Sequence, residues 1–454
     1  MIRIDEYLDL LRVSENLNRY VGLMVEYDVA IPTYSDVPIY VTNPVHTDVE
    51  FMSYATTGEL PFIPASGKGF EIRNALLSLY GEFLERGLPI AIGRGADVFA
   101  KASQLSKENE IIGPGKLHLF AEEQYKEGIP FRRFTADLKL GWVKARRAFE
   151  NGEVLIPAQA AVFGYRRLFN EPLIAYGSTA GLSYATSRHT AIYKGFIEFV
   201  ERDSVNIGWH SDIPPYRINI GLEDILDILG LDAALPKSLI AHTYLWRTDV
   251  DGIYVVSVHV IDKRRKILSY YPGCGAGVSF TEALARAFGE VGQAYLYVYS
   301  IYKWRKALGG RDADIYYIDR ESPPQEADNL FKTIFYYGYP ENLERLYREF
   351  FSRSPELSKD KLELDGGSTR TSRRLSIVKS IIKEKGLNPL VINHTPPSAE
   401  GYVLKVFIPE LTPYNSARYP FLGHPRYYIA RKILKVGEDT LTYSDLRKYS
   451  VPYP

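Results

Sequence analysis

Three short stretches of this chain repeat one arrangement of carboxylates and arginines. The clearest runs Ser187-Arg-His-Thr-Ala-Ile-Tyr-Lys-Gly-Phe-Ile-Glu-Phe-Val-Glu-Arg-Asp203. On a helix, Lys194, Glu198, Glu201 and Arg202 fall at i, i+4, i+7 and i+8, a narrow polar stripe among Ala191, Ile192, Phe196, Ile197, Phe199 and Val200. A second stretch, 71–86, ends Tyr-Gly-Glu82-Phe-Leu-Glu85-Arg86, with Asn74 and Ser78 extending its stripe. The third, 281–293, aligns Glu282, Arg286, Glu290 and Gln293. One Glu-x-x-Glu-Arg is ordinarily a solvated face with an ion pair worth about 0.3 kcal/mol. Three such stripes on otherwise apolar helices ask for more. Carboxylates that converge away from water repel one another and require a cation. Magnesium suits an all-oxygen set and usually arrives with phosphates. Arg202 and Arg286 carry the planar fork that grips phosphate oxygens. The pattern points to a magnesium–nucleotide site.

The elements that must position these stripes are legible nearby. Ser187 is a good N-cap, and Ser279-x-x-Glu282 forms a capping box. Each helix follows a Gly/Ser-rich loop, and each loop follows an apolar run: Gly67-Lys68-Gly69, 177–183 and 273–279. The last of these, read as a loop, leaves backbone N–H groups free near a helix N-terminus, a ready anion site. Gly67-Lys68 is not a phosphate loop of the Walker type, since Gly69 rather than Ser or Thr follows the lysine. Gly93-Arg-Gly95 lacks the third glycine of a dinucleotide fingerprint. Cys274 has no histidine near it in sequence and reads as a lone buried thiol. The eight histidines show no zinc spacing.

Apolar runs and turn signals predict strands at 37–41, 88–95 (with a turn), 138–144, 154–162, 239–245, 253–260, 266–271, 390–393 and 402–408. Asn151-Gly152 predicts the turn between two of them, and 173–186 predicts a strand followed by a loop. Helices are expected at the start of the chain and at 219–235, 341–351 and 376–385, with a polar, mobile stretch at 362–374. The fold class is therefore mixed α/β (α+β), with repeated strand–Gly/Ser loop–helix units lining one nucleotide site. Residues 1–60 form an N-terminal extension or small lobe, 61–415 the catalytic domain, and 416–454 a tail ending Pro-Tyr-Pro.

Composition narrows the class. The formal net charge is zero, which gives no electrostatic case for nucleic acid or an anionic membrane as partner. One cysteine excludes an internal disulfide and fits a reducing compartment. No run approaches the ~18 apolar residues of a membrane span, and the charged N-terminus does not read as a signal peptide. A cytoplasmic location is expected, with a homodimer left open.

Taken together, Ser-Gly-Lys68-Gly with Gly81-Glu-Phe-Leu-Glu-Arg86, Ser178-Thr-Ala-Gly-Leu182 with Glu198-Phe-Val-Glu-Arg202-Asp203, and Arg286-Ala-Phe-Gly-Glu290-Val-Gly-Gln293 resemble the YcaO family of ATP-dependent peptide-modifying enzymes. Ile156-Pro-Ala158 and Val406-Phe-Ile-Pro-Glu-Leu411-Thr-Pro413 add to the resemblance, which covers roughly 61–454. It implies ATP and Mg2+ as cofactors and phosphorylation of a peptide backbone amide oxygen after a nucleophile attacks the carbonyl. It implies Glu82, Glu198 and Glu201 as magnesium ligands. Arg202 and Arg286 would contact phosphate, with Glu290 beside them, Lys68 and Ser78 on the nucleotide side, and Ser183 or Thr186 touching the nucleotide. Azoline-forming members end Pro-x-Pro-x-Pro, whereas this chain ends Ser450-Val-Pro-Tyr-Pro454. The stiff terminus would carry Pro454 to the site to align the activated amide, the alternative being a frayed end. Azoline-forming cyclodehydratase is the leading reading. Thioamide formation with a sulfur donor, or a nucleotide-binding accessory without turnover, is the alternative. A precursor peptide or protein would be the substrate, presented by a separate peptide-binding or sulfur-delivery partner.

Overall fold

The structure, a computed structural model, describes residues 24–32, 37–47, 65–92, 95–167, 171–298, 317–362, 371–396, 400–413 and 418–453. The helix expected at the start of the chain lies outside them, as does Pro454. The chain divides into two compact units. The first is Met1–Ala30, Tyr40–Phe199 and Val378–Glu410; the second is Ile31–Ile39, Val200–Ile377 and Leu411–Pro454. The 416–454 segment thus belongs to the second unit.

Among the described residues, the first unit holds two sheets. One is the antiparallel set β1 (Met24–Ala30), β2 (Tyr40–Thr47) and β3 (Gly67–Gly69). The other has six strands: β4 (Val98–Lys101), β5 (Lys139–Arg147), β6 (Glu153–Pro157), β7 (Leu182–Ala185), β13 (Leu390–Asn393) and β14 (Tyr402–Phe407). Their order is β4-β5-β13-β14-β7, with β6 pairing β5 across the Asn151-Gly152 turn. Among the described residues, the second unit holds one sheet, β11-β10-β9-β8-β12. Its strands are β8 (Tyr216–Ile218), β9 (Leu239–Leu245), β10 (Tyr254–Asp262), β11 (Tyr270–Gly277) and β12 (Glu356–Leu357). The mixed α/β class is as expected.

Three helices follow strands directly: α1 (Ile72–Ile92) after β3, α2 (Arg188–His210) after β7 and α3 (Phe280–Gln293) after β11. Their caps match the sequence. Thr190 N donates to Ser187 Oγ at 3.2 Å and Glu282 N to Ser279 Oγ at 3.2 Å, each satisfying an orphan first-turn donor. In α1, Leu79, Tyr80, Phe83, Leu84 and Leu88 pack with Leu182, Tyr184 and Val403 in one buried cluster. In α2, every residue of 191–200 except Lys194 and Glu198 is buried, which leaves the expected narrow stripe.

Several expectations are corrected. Residues 88–92 do not form a strand; α1 continues through Pro89 to Ile92. Burial of Leu84 and Leu88 against the core outweighs the backbone hydrogen bond that Pro89 cannot donate. The run 154–162 is strand only to Pro157, then one helical turn at Ala158–Ala161. In 173–186 the order is reversed: the extended loop comes first and the strand, β7, follows Gly181. The helix expected at 219–235 is Leu222–Leu229, stopped early by left-handed Gly230 (φ 66°). The helix expected from 376 begins at Thr371.

The largest correction concerns 273–279. It is not a loop offering free N–H groups, because β11 runs to Gly277, paired residue by residue with β10. Its glycines serve contact. A Cβ on Gly273 would lie 2.1 Å from Ala287 O, and one on Gly275 2.5 Å from Ala287 N. Gly67 in β3 is alike, with Ala75 O at 2.0 Å from its notional Cβ. Strand and following helix touch backbone to backbone. Gly273→Ala is therefore expected to cost about 2 kcal/mol or more, since neither backbone can yield. Gly115→Ala, where a Cβ meets nothing within 4 Å, should stay within about 0.5 kcal/mol by the same denaturant titration.

Candidate functional site

The three helices share one register. Ala75, Ala191 and Ala283 are each fully buried, and each is followed seven residues later by a glutamate: Glu82, Glu198 and Glu290. Seven residues return a side chain to nearly the same face two turns on. Ala75 and Ala191 mark where each helix meets its sheet: Ala75 O accepts from Thr42 Oγ1 of β2 at 3.1 Å and Ala191 O from Ser183 Oγ of β7 at 2.7 Å. Two turns further, the same face has passed the end of the strand, and the glutamate meets the backbone just before it. Ser66 N donates to Glu82 Oε2 at 3.3 Å, and Gly181 N donates to Glu198 Oε2 at 3.2 Å.

In the first unit these two glutamates are joined by a third. Glu85, three residues after Glu82 on α1, has its carboxyl pushed well above the ordinary value by burial first, then by the charges of Glu198 and Glu82, with Arg86 and Lys194 opposing. Such crowding of hard oxygen donors is the chemistry of a divalent cation site. Three cations stand among the carboxylates. Arg86 pairs with Glu82 at 2.7 Å. Lys194 Nζ donates to Tyr184 O at 3.2 Å. Lys405, on β14, donates to Ser178 O; burial draws its ammonium down to about 8, while Glu198 and Glu85 hold it up. The turn that Lys405 grips is tightly packed: Gly181 sits at φ 77°, and a Cβ there would lie 2.1 Å from Val406 O. Ser183 is buried, and its hydroxyl donates to Ala191 O, so it ties β7 to α2. Lys68 lies on β3 opposite Val41, and Ser78 is half-buried on the α1 stripe.

The second unit carries the remaining predicted residues. Glu201 and Arg202 follow one turn after Glu198 on α2, Glu201 being 8% exposed. Cys274 on β11 lies in the field of Glu201, Arg202 and Glu290; burial, then Glu201, push its thiol well up, which suits a structural thiol rather than a nucleophile. Arg286 Nη2 bonds Glu282 Oε1 at 3.0 Å, and Arg374 Nη2 approaches Glu282 Oε2 at 3.4 Å. Behind the stripe, Asp203 is buried and accepts from Thr412 N at 2.7 Å, with Arg426 bridging it to Asp249 at 2.8 and 2.6 Å.

The tail is not a frayed end as far as Tyr453. That residue is 4% exposed, and its hydroxyl lies 2.9 Å from His259 Nε2 and 3.3 Å from Ser257 Oγ. Burial holds His259 neutral. Tyr453 in turn lies in the field of Cys274, the residue that feels Glu201, Arg202 and Glu290. Sequence reasoning missed Glu85 as a member of the set, and also Lys405, Arg374 and His259. Glu85 was within reach, as the second glutamate of the Glu-x-x-Glu-Arg repeat. The other three act through contacts distant in sequence.

Among the described residues, no three His, Cys, Asp or Glu side chains form a ready metal cage, and no helix is long and apolar enough to cross a membrane. Magnesium characteristically uses one or two carboxylates plus phosphate oxygens and water. The crowded Glu82, Glu85 and Glu198 fit that requirement.

A family model described as YcaO cyclodehydratase, ATP- and Mg2+-binding, matches residues 66–412. No curated protein matches the chain significantly. Solved structures do. A heterocyclase in complex with substrate and cofactor superimposes with TM-score 0.71 at 17% identity over 99% of this chain; the chain spans 57% of that protein's length. YcaO from Methanopyrus kandleri bound with AMPPCP and Mg2+ gives 0.58 at 20% identity over 91% of this chain and 92% of that one. A chain of the E. coli microcin synthetase McbBCD complex gives 0.59 at 18% identity, covering 96% of this chain and 98% of its own. At these identities the likeness is one of fold.

The carboxylate crowding predicts a pH signature. A carboxyl whose folded value is raised stabilises the fold below its ordinary value of 4.5 and loses that contribution as pH rises through the folded value. Glu85→Gln should therefore raise the melting temperature of the nucleotide-free protein at pH 7.5 and flatten its decline between acid and neutral pH. It should also abolish stabilisation by Mg2+ and ATP. A wild-type pH slope in the mutant would remove Glu85 from the cluster.

Proposed function

Because this chain belongs to the YcaO cyclodehydratase family, which binds ATP and Mg2+, we propose that it activates a backbone amide of a peptide by O-phosphorylation. The reading is carried by the crowding of Glu82, Glu85 and Glu198, a carboxylate set that calls for a divalent cation. A nucleophile adds to the amide carbonyl, and the oxygen takes the γ-phosphoryl group of ATP. That oxygen then leaves as phosphate, so that ADP, phosphate and the modified backbone are the products. An amide oxygen is otherwise a poor leaving group. The protein's task is positioning and charge neutralisation, which needs no side-chain nucleophile. Glu82, Glu198, Glu201 and the added Glu85 would hold Mg2+, and Arg202 and Arg286 would fork onto phosphate oxygens, with Glu290 beside them. Lys68 and Ser78 would lie on the nucleotide side.

The leading product is an azoline, closed by a Cys, Ser or Thr side chain. Structures of a heterocyclase with substrate and of McbBCD with pro-MccB17 bound, which share the fold, support a peptide substrate and a separate presenting partner. One observation favours a thioamide product instead: Ser450 stands where azoline-forming tails carry their first proline. A sulfur-delivery partner would then replace the presenting one.

The test is ATP consumption. It should depend on added peptide and partner, and Arg202→Lys, which keeps the charge but loses the fork, should lose most of it, ~100-fold. Arg86→Lys, at an internal ion pair, should lose far less. The reverse order would exchange the two roles.

The tail is tested by removing Pro454 alone. Deleting the last three residues would also extract buried Tyr453 and leave His259 Nε2 without its partner, confounding alignment with stability. Loss of Pro454 should lower peptide modification by about 100-fold or more while ATP affinity and melting temperature barely change, because alignment alters reaction geometry. A truncated enzyme working at the full rate would leave Tyr453 as the end of the tail's usefulness.

A further inference from the structure

Lys405 is a buried charged group of the first unit to which the proposed reaction gives no role. It is 1% exposed and lies on β14, which is paired with β13 on one side and β7 on the other, so its backbone is fixed. Its Nζ donates to Ser178 O, at the head of the turn that carries Gly181 N to Glu198 Oε2. The ammonium lies in the field of Glu198 and Glu85. With Arg86 and Lys194 it brings the cations among Glu82, Glu85 and Glu198 to three, matching the three carboxylates. A buried lysine is a rare residue unless a partner holds it. Here the partner is the Ser178 carbonyl, and the charges of two carboxylates act on the ammonium.

We propose that Lys405 is the resident counter-cation of this carboxylate cluster, a positioning residue that prevents Mg2+ from entering except together with nucleotide. The inference rests on the carboxylates being the magnesium site. A divalent ion approaching Glu85 and Glu198 alone meets a fixed positive charge already neutralising them. When it arrives on a triphosphate, the phosphate oxygens supply the missing negative charge. Lys405 thereby couples the two ligands, and by anchoring Ser178 it keeps Glu198 held by Gly181 N–H in the meantime.

The experiment titrates the nucleotide-free protein with Mn2+ as a stand-in for Mg2+, reading free Mn2+ by electron paramagnetic resonance, and repeats it with ATP present. Wild type should bind Mn2+ alone only weakly, with Kd above about 1 mM, and much more tightly with ATP. Lys405→Met, which keeps the length and removes the charge, should tighten Mn2+-alone binding at least about tenfold. Lys405→Arg should stay near wild type. A merely structural lysine would give weaker metal binding on removal, not tighter. Unchanged or weaker Mn2+ affinity in a folded Lys405→Met protein overturns the proposal. So does wild-type protein that binds Mn2+ alone below about 0.1 mM, a measurement that stands even if the methionine variant does not fold. If Mn2+ and ATP bind neither separately nor together in wild type, the nucleotide-site reading itself has failed.

Discussion

The contact on which this structure depends is the one between the backbone of a strand and the backbone of the helix that follows it. In β3–α1 and β11–α3 the two approach so closely that a single methyl group on the strand would overlap the helix main chain. β7–α2 reaches the same closeness from the helix side: Gly195 of α2 would place a Cβ 2.5 Å from Gly181 O. Close packing at this distance tolerates no sliding. It therefore fixes the helix along its axis as well as around it, and a fixed axial position sets where a glutamate two turns on must stand. Glu82 and Glu198 reach backbone N–H groups just before their strands because the contact behind them is made without side chains.

The same constraint explains which expectations held. The stripes, caps and turn were legible because they are local: a period of 3.6, a serine before a helix, Asn-Gly between apolar runs. The fold class and the three strand–helix units followed from them. What misled was glycine. In 273–279, alternating glycines read as a flexible loop baring its N–H groups, whereas they are the flat surface of a strand against a helix. Both readings need glycine, for opposite reasons, and only the distant alanines of α3 distinguish them. Proline misled likewise at 88–95, where the burial of Leu88 holds a helix that local preference would end.

The proposed site residues divide in the same way. Glu82, Glu198, Glu201, Arg202, Arg286 and Glu290 announce themselves by spacing on three helices. Glu85 shares their motif, but its carboxyl is raised by burial first and then by the charge of Glu198, over a hundred residues away. Arg426 is more remote still, bridging Asp203 to Asp249 from the 416–454 segment. No periodicity encodes such a residue, since its value lies in the partner it meets.

The tail shows how a missing motif residue need not mean a missing anchor. Prolines at 452 and 454 stiffen the chain, but what seats it is the tyrosine between them. An aromatic body against Trp246, at 5.8 Å edge to face, supplies apolar contact, and a hydroxyl 2.9 Å from a neutral histidine fixes direction. Burying that hydroxyl without a partner would cost about 1–3 kcal/mol, so the His259 ring specifies the seat of Tyr453 more sharply than proline stiffness could. Stiffness lowers the entropy lost on docking, whereas hydrogen bonding selects where docking occurs. A chain with Ser450 in place of a proline gives up some of the first and keeps the second. Tyr453 is thereby placed by its own side chain rather than by the regularity of the backbone around it.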